Sequence, residues 1–470
     1  MVAYKAIDLD SLKENVQKKI KYYSNKHNYS QLTAIETSSI EPIQNEFGEC
    51  IIKVAGNIPV SLPVNTSDSF LFISSDQSKY LHGIHKYPAK FFPELPRWLI
   101  QKYSIAGETV LDPFAGSGTT NLEAILQGRN TYAVDVEDFC RLLIKVKTTP
   151  IHPRIIYQTN KNILNMLENY SPNFVKKDEI PVFPYRDTWF EDYIIYELAY
   201  IKQTIYDLTF DKDLLDFYLI CFSSIIRTVS NADDGCTRTV VRKKLQKNIY
   251  PSLAISKFIE TLLINSYKME EFYNISSSCS QCIILPDSEA RSIQLSNNSI
   301  DLAITSPPYV NAVDYPRTHQ LELYWLDLEK GSLTPLKRKH IGTETVTVSD
   351  YSEMHFTGIN QIDQILTDIY KLDKKRSFIA YKYLVDMKDN LSEVFRLLKP
   401  GKRYVIAVGN NRIRGYLFET WKYICLLAEQ VGFDIEIWFI SEIIKHFIKV
   451  PREERINRDY IIVLRKRENA

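Results

Sequence analysis

The sequence has no run of about 20 apolar residues, which is the length that a helix needs to cross a bilayer. Its first residues, MVAYKAIDLDSLKENVQKK, lack the pattern of a secretory signal peptide. Neither sign of charge is in excess, because 58 basic residues face 57 acidic ones and the net charge is +1. The overall charge therefore indicates no partner, and only local clusters can do so. We expect a soluble, cytoplasmic protein without a membrane partner.

Cysteine is sparse and scattered. The seven cysteines include one close pair, Cys279 and Cys282, and no second pair or nearby histidine pair completes a zinc site. No metal is therefore predicted. Apolar residues make up 45% of the 470 positions, which excludes a disordered chain and is enough for a large core.

The segment 108–139, ETVLDPFAGSGTTNLEAILQGRNTYAVDVEDF, predicts a strand, a glycine turn, a helix and a second strand. Such a βαβ unit belongs to a parallel, doubly wound sheet. Strand patterns resume at 282–290 and 299–309 and again near the end of the chain, where two strands are expected to pair as a hairpin. Long helical patterns over 150–278 predict a large helical insertion, and 50–64 is consistent with a hairpin.

The glycine turn DPFAGSGTT has three nucleotide-binding interpretations. A phosphate-binding loop needs a lysine after the last glycine, and none follows Gly118. A dinucleotide fingerprint needs a third glycine, but Asn121 stands there. The remaining interpretation is a turn for S-adenosylmethionine, in which Asp112 at the strand end anchors the methionine part of the cofactor; a purely structural glycine corner stays open. The predicted cofactor-binding residues of this turn are Asp112, Pro113, Phe114, Gly116, Gly118, Thr119 and Thr120.

Two further acids follow predicted strands. Asp135 could accept hydrogen bonds from both ribose hydroxyls, with Glu137 as the competing choice, and this feature is shared with NAD enzymes. Asp287, followed by Ser288, stands where an acid could accept a hydrogen bond from the adenine amino group.

The sequence Ser306-Pro307-Pro308-Tyr309 ends an apolar run, IDLAIT. Prolines have no N–H to donate, so they leave acceptors at the edge of the sheet rather than continuing it. Together with the Ser306 hydroxyl, these acceptors could hold an exocyclic amine, while Tyr309 offers a flat face for an extruded base. Alignment of that amine with a methyl group would supply most of the catalysis.

The series LDPFAGSGTT, AVDVE, LPDS and ITSPPY resembles the amino-group DNA methyltransferases, which methylate exocyclic nitrogens of adenine or cytosine with S-adenosylmethionine. The likeness covers roughly 80–140 and 280–465. HKYPAKFFPELPRWLI resembles the family's upstream cofactor segment, so the resemblance places Lys86, Tyr87, Pro88, Ala89 and Lys90 in the cofactor pocket. Together with the helical patterns, it predicts an N-terminal extension over 1–75, a cofactor-binding half over 76–149, a helical insertion over 150–279, and a catalytic half over 280–470 with a DNA-contacting insertion at about 310–385. The insertion over 150–279 could recognise the target, although in most relatives the large insertion follows the third strand and here it precedes Asp287.

In this family a serine at the first position of the SPPY motif is typical of N4-cytosine enzymes, so the resemblance favours methylation of cytosine N4 in duplex DNA. Adenine N6 and an RNA base stay open, as does an NAD-linked oxidoreductase, in which SPPY would have no role. A restriction–modification system, with a cognate endonuclease as partner, is the expected context; no oligomeric state is indicated. Basic clusters in the insertions and residues after SPPY are the predicted DNA contacts: Arg238, Arg242, Lys243, Lys244, Lys247, Asn311, Arg317, Lys337, Arg338 and Lys339.

Overall fold

The computed structural model describes residues 9–33, 39–45, 48–74, 76–241, 247–276, 280–310, 313–443 and 457–468. The predicted DNA contacts Arg242, Lys243, Lys244 and Asn311 lie outside these ranges. Within the described residues the helices are α1 Leu9–Thr33, α2 Glu94–Tyr103, α3 Thr119–Leu126, α4 Asp138–Thr148, α5 Pro153–Glu168, α6 Arg186–Trp189, α7 Asp192–Leu208, α8 Lys212–Ile226, α9 Leu253–Ile275, α10 Tyr315–Thr318, α11 Gln320–Trp325, α12 Thr334–Lys339, α13 Asn360–Leu372, α14 Lys374–Leu397 and α15 Thr420–Val431.

The strands build one large sheet and one small hairpin. They are β1 Ser39–Gln44, β2 Cys50–Ala55, β3 Ser69–Ile73, β4 Thr109–Asp112, β5 Asn130–Ala133, β6 Cys282–Ile284, β7 Ile300–Thr305, β8 Leu398–Gly409, β9 Asn411–Ile413, β10 Tyr416–Phe418, β11 Phe433–Glu442 and β12 Arg458–Lys466. The large sheet has the order β1-β2-β3-β11-β12-β8-β7-β4-β5-β6, and β9 pairs with β10 apart from it.

The centre of the large sheet is parallel. Strands β6, β5, β4, β7 and β8 pair in parallel, whereas β12 runs antiparallel between β8 and β11. The predicted pairing of the last two strands is therefore confirmed. The hairpin expected over 50–64 is wrong, because β2 pairs antiparallel with the preceding strand β1 and parallel with the following strand β3.

Both faces of this sheet are covered, which explains why the stretches 302–304 of β7 and 405–408 of β8 are continuously apolar. In β8, Val405 and Ala407 pack into one core with Trp98 of α2. Tyr404, Ile406 and Val408 alternate with them and pack on the opposite face with α14 and α15. This alternation follows from the two-residue period of a strand and confirms the predicted doubly wound α/β class.

The chain reverses its direction of travel across the sheet between β4 and β7. From β4 it moves outward to β5 and β6, and it then returns to β7 on the other side of β4. Crevices for ligands form at such a switch point, beyond the carboxyl ends of the strands. The glycine turn after β4 and the SPPY motif after β7 therefore come to the same edge of the sheet.

A long helical segment separates β5 from β6 in the sequence. Its helices α5, α7, α8 and α9 pack on one another, and α4 packs on α8. Their apolar faces share one core with Leu122 and Ile125 of α3. No helix in the described ranges joins sufficient length with sufficient apolar character to cross a membrane.

Candidate active site

A cleft opens at the switch point of the sheet. Its walls bring together the glycine turn after β4, the end of β5, the segment after β6, the start of SPPY and the residues around α10 and α12. The lining residues are Tyr87, Ala89, Lys90, Phe91, Asp112, Pro113, Phe114, Ala115, Gly116, Ser117, Thr119, Thr120, Val134, Asp135, Val136, Glu137, Cys140, Glu289, Ala290, Arg291, Ser306, Pro308, Tyr315, Lys339, His340 and Ile341.

A side-chain hydrogen bond joins the two strands that flank the switch point. Thr305, the last residue of β7, donates its hydroxyl to Asp112 Oδ1 at 2.7 Å, and the backbone N–H of Phe114 donates to the same oxygen at 3.1 Å. Burial raises the pKa of Asp112 to about 6, although the hydrogen bond from Thr305 opposes that shift. The carboxyl is thus positioned from two sides and would gain from a cation in the cleft.

Asp135 holds the glycine turn in place. Its Oδ2 accepts a hydrogen bond from the N–H of Gly116 at 2.9 Å, and its Oδ1 accepts one from the N–H of Glu137 at 2.9 Å. Burial raises the pKa of Asp135. The carboxylate that is predicted to bind the ribose therefore also stabilises the conformation of the glycine turn.

The two glycines of the turn have left-handed backbones, with φ of +49° at Gly116 and +71° at Gly118. A Cβ at Gly118 would lie 3.0 Å from Ile144 Cγ1 and 3.3 Å from Ile144 Cα, so Gly118 permits the close approach of α4. A Cβ at Gly116 would point at the Tyr87 ring, 3.3 Å from its hydroxyl. Gly118 therefore serves packing, whereas Gly116 faces the cleft.

Glu137 lies at the centre of a buried ionic cluster that closes one side of the cleft. His319 Nδ1 lies 2.9 Å from Glu137 Oε1, and His340 Nε2 lies 3.6 Å from Glu137 Oε2. Burial alone would raise the pKa of Glu137, but the two histidines outweigh it and hold that pKa at about 2. The pKa of each histidine is raised, because the attraction to Glu137 outweighs the effect of burial. The cluster ties the segment after SPPY to the end of β5.

Donor atoms of Glu137, Cys140 and His319 lie within 4.8 Å of one another, a spacing that a metal ion could use. Glu137 and His319 already form the ion pair at 2.9 Å. Burial also raises the pKa of the Cys140 thiol well above its usual range, which opposes the thiolate that a metal requires. The contacts fit an ionic cluster better than a metal centre.

The SPPY motif is split between the cleft and the core beside it. Ser306 and Pro308 line the cleft, whereas Pro307 is buried. Tyr309 is half-buried and packs against the core that contains Tyr383 and Val408. Its hydroxyl donates to Asp459 Oδ1 at 2.8 Å.

Most residues predicted to bind the cofactor line this cleft, but five do not. Gly118 packs on α4, and Pro88 lies outside the lining. Lys86 donates from Nζ to the carbonyl of Asp234 at 2.8 Å. Asp287 and Ser288 lie outside the lining as well, and the cleft wall after β6 is instead formed by Glu289, Ala290 and Arg291.

Some lining residues were not predicted from the sequence. Glu289 lies only two positions beyond Asp287. Strand β6 is short and its Ile283 is exposed, so the sequence did not predict where this strand ends. His340 ends a basic cluster in the sequence, but neither it nor Ile341 was expected in the cofactor pocket, because only the tertiary fold returns the segment after α12 to the cleft. Lys90 was predicted; burial lowers its pKa to about 8, and its Nζ donates to the carbonyls of Gln77 and His82.

The predicted basic residues divide into exposed and paired groups. Arg238, Arg317, Arg338 and Lys339 are exposed, and Lys339 lies at the cleft wall. Lys247 donates to the carbonyl of Ala232 at 2.9 Å and pairs with Asp234, and Lys337 pairs with Asp314 at 2.7 Å. Lys247 and Lys337 thus support loops, whereas the exposed residues are available to another molecule.

The two insertions meet beside the cleft. The hydroxyl of Thr239 donates to the carbonyl of Thr318 at 2.8 Å. This contact makes neighbours of Arg238 and Arg317, which precede these two residues in the sequence and are both exposed. Two basic segments that are distant in sequence are therefore in contact at this point.

The wall residues suit S-adenosylmethionine. The carboxylates of Asp112, Asp135 and Glu289 match a cofactor that carries an ammonium group, a sulfonium and ribose hydroxyls, and Lys90 could meet its carboxylate. Phe114, Ala290 and Ile341 supply apolar surface for a purine. A doubly wound sheet with such a cleft at its switch point defines a Rossmann-like protein that binds a nucleoside cofactor.

Comparisons with known proteins narrow this class. The family model described as "DNA methylase" matches residues 7–145. The Type II methyltransferase M.MvaI of Kocuria varians is 26% identical over 377 residues, and the match covers 76% of this chain and 82% of that protein. The Type II methyltransferase M.BsoBI of Geobacillus stearothermophilus is 24% identical over 438 residues, covering 78% of this chain and 82% of that protein.

A solved putative DNA modification methylase of Thermus thermophilus, complexed with S-adenosyl-L-methionine, is 27% identical over 19% of this chain and 39% of its own, with a TM-score of 0.17. The strand order of the sheet, and not this likeness, defines the fold. The chain is similar to the amino-group DNA methyltransferases. The predicted cofactor, S-adenosylmethionine, is the methyl donor of this family.

Proposed function

We propose that this DNA methyltransferase transfers a methyl group to the N4 nitrogen of a cytosine turned out of duplex DNA. The observation that carries the proposal is the cleft shared by the glycine turn and the SPPY motif, joined by the hydrogen bond from Thr305 to Asp112. When bound, S-adenosylmethionine supplies an electrophilic methyl group. Ser306 and the carbonyls before the two prolines would accept hydrogen bonds from the amine and align it, so position rather than a strong base would govern the rate.

The preference for cytosine depends on Ser306, the residue typical of N4-cytosine enzymes in this family. Adenine N6 is the alternative, because a serine hydroxyl can accept a hydrogen bond from either exocyclic amine. The names of the Type II relatives support a restriction–modification context. We propose a cognate endonuclease as partner and the cytoplasm as the place of action.

Sequencing the DNA of cells that express the protein, with a readout that separates N4-methylcytosine from N6-methyladenine, tests this proposal. We expect N4-methylcytosine at one short recurrent sequence. N6-methyladenine at such a sequence would overturn the assignment of the base, and unmodified DNA from cells with confirmed expression would overturn the proposed activity.

Arg238 and Arg317 are the proposed contacts of the DNA backbone, and the helical segment 150–279 is the proposed target-recognition region. The contact between Thr239 and Thr318 supports this placement, because it joins the two segments that carry these exposed cations. Cations on a surface of this kind neutralise phosphates and release counterions.

Reversal of charge at Arg238 and Arg317 to Glu should weaken DNA binding about tenfold or more at physiological salt, because two phosphate contacts would be lost. The slope of log affinity against log salt should become shallower by about 2. Fluorescence anisotropy over a salt series measures both quantities. Reversal of Lys13 and Lys21, both exposed on α1 and outside the cleft and the segment 150–279, is the matched control. Equal salt slopes for the Arg238/Arg317 variant and the wild type would contradict the proposed DNA surface.

A further inference from the structure

The hydroxyl of Tyr309 is held by a residue from a distant part of the chain. Asp459 stands near the start of β12, 150 residues further along the sequence, and its Oδ1 accepts the tyrosine hydrogen bond at 2.8 Å. Nothing in the SPPY sequence points to this partner. The aromatic ring that would face a target base is thereby fixed at both ends, by the backbone at Pro308 and by the carboxyl at its tip.

The register of the sheet explains why these two residues meet. Thr305 of β7 lies opposite Ile406 of β8, and three positions further along β8 Gly409 lies opposite Asp459 of β12. Because β12 runs antiparallel to β8, its first residues stand at the edge where the parallel strands end. Asp459 is therefore placed at the SPPY edge by strand pairing and not by a flexible loop.

Asp459 serves no evident purpose in stabilising the fold. It is half-buried, and among the described residues the side-chain partner of its carboxyl is Tyr309, with no ion pair. Burial raises the pKa of this carboxyl to about 6, which the tyrosine hydrogen bond opposes. Partial burial of an acid without a cation costs free energy of folding, so a position that only needed stability would be better served by an apolar side chain.

We propose that Asp459 is a positioning residue for the transfer reaction: it fixes the Tyr309 ring in the orientation that receives the extruded base. This inference rests on the proposed function of SPPY. A half-buried tyrosine with a free hydroxyl would sample several ring orientations and would lose that freedom when a base stacks on it. The hydrogen bond restricts the orientation of the ring before the base binds, so less conformational entropy is lost on binding.

The test compares Asp459→Ala, Asp459→Asn, Tyr309→Phe and the Asp459→Ala/Tyr309→Phe double variant with the full-length wild type. The measurements are kcat and KM on a duplex that carries the recognised sequence, the Kd of S-adenosylmethionine, and the fluorescence of 2-aminopurine at the target position. We expect Asp459→Ala to lower kcat about tenfold, the effect of one hydrogen bond to a charged group, and to lower the fluorescence rise on binding. The Kd of the cofactor should change less than about twofold, since Asp459 does not line the cleft.

Asp459→Asn should recover most of kcat, because its amide oxygen still accepts the tyrosine hydrogen bond. Tyr309→Phe should reproduce the loss of Asp459→Ala, and the double variant should lose no more than either single variant, since the three changes remove the same interaction. A wild-type kcat in Asp459→Ala, or losses that multiply in the double variant, would overturn the inference.

Two further outcomes are distinct from these. If Asp459→Ala does not fold, the Tyr309→Phe variant decides. Full kcat in Tyr309→Phe overturns the inference. A tenfold lower kcat in Tyr309→Phe, together with an active Asp459→Asn variant, supports it. If the wild type itself transfers no methyl group to DNA, the proposed function fails and the inference fails with it. That result cannot be confused with an active wild type whose Asp459 variants are equally active.

Discussion

Ser306→Ala combined with Pro308→Ala is expected to lower methyl transfer to DNA by about a hundredfold or more, while the Kd of S-adenosylmethionine stays within about threefold of the wild type. The serine change removes a hydroxyl acceptor at the cleft wall, and the proline change frees a backbone that the ring had fixed. Neither residue forms the turn that carries Asp112. Transfer of radiolabelled methyl groups measures the rate, and calorimetry measures the affinity for the cofactor.

A matched control for this prediction is Ser61→Ala with Pro63→Ala, an exposed serine and proline with the same spacing that lie outside the cleft and outside the segment 150–279. We expect wild-type transfer from it. Unchanged turnover in the Ser306/Pro308 variant would remove SPPY from the reaction. A collapse of cofactor affinity would instead assign the motif to cofactor binding.

Gly116→Leu is expected to weaken binding of S-adenosylmethionine about a hundredfold, because two costs combine at this position. The backbone φ of +49° is unfavourable for leucine, and the new side chain would be directed at Tyr87, which lines the cleft. Displacement of the tyrosine ring or of the turn would take up the space for the cofactor. Calorimetry of the variant with S-adenosylmethionine measures the loss, and circular dichroism checks that the fold is retained.

Gly331→Leu is the control for this substitution, since Gly331 is exposed and no atom lies within 4 Å of an added Cβ. Its affinity for the cofactor should equal that of the wild type. Normal affinity in Gly116→Leu would place the cofactor away from the glycine turn, and the assignment of the cleft would then fail.

Local sequence was sufficient wherever a feature depends on neighbouring residues. The strand ending at Asp112, the glycine turn, the helix beginning at Thr119 and the strand ending before SPPY all follow from apolar runs, glycine and proline. The hairpin expected over 50–64 failed for the opposite reason. Strand β2 instead pairs in parallel with β3. Parallel strands are joined by a long connection, so no short turn sequence between them predicts the pairing.

The sequence by itself determined the resemblance to the amino-group DNA methyltransferases, the doubly wound sheet and the two motifs of the cleft. Each of these depends on short stretches of sequence whose glycines, prolines and apolar runs permit few backbone conformations. Only the tertiary structure decided that Glu289 rather than Asp287 lines the cleft, that His319 and His340 surround Glu137, and that Asp459 holds Tyr309. Those contacts join residues that are far apart in the chain, and they depend on strand register and helix packing, which no local pattern encodes.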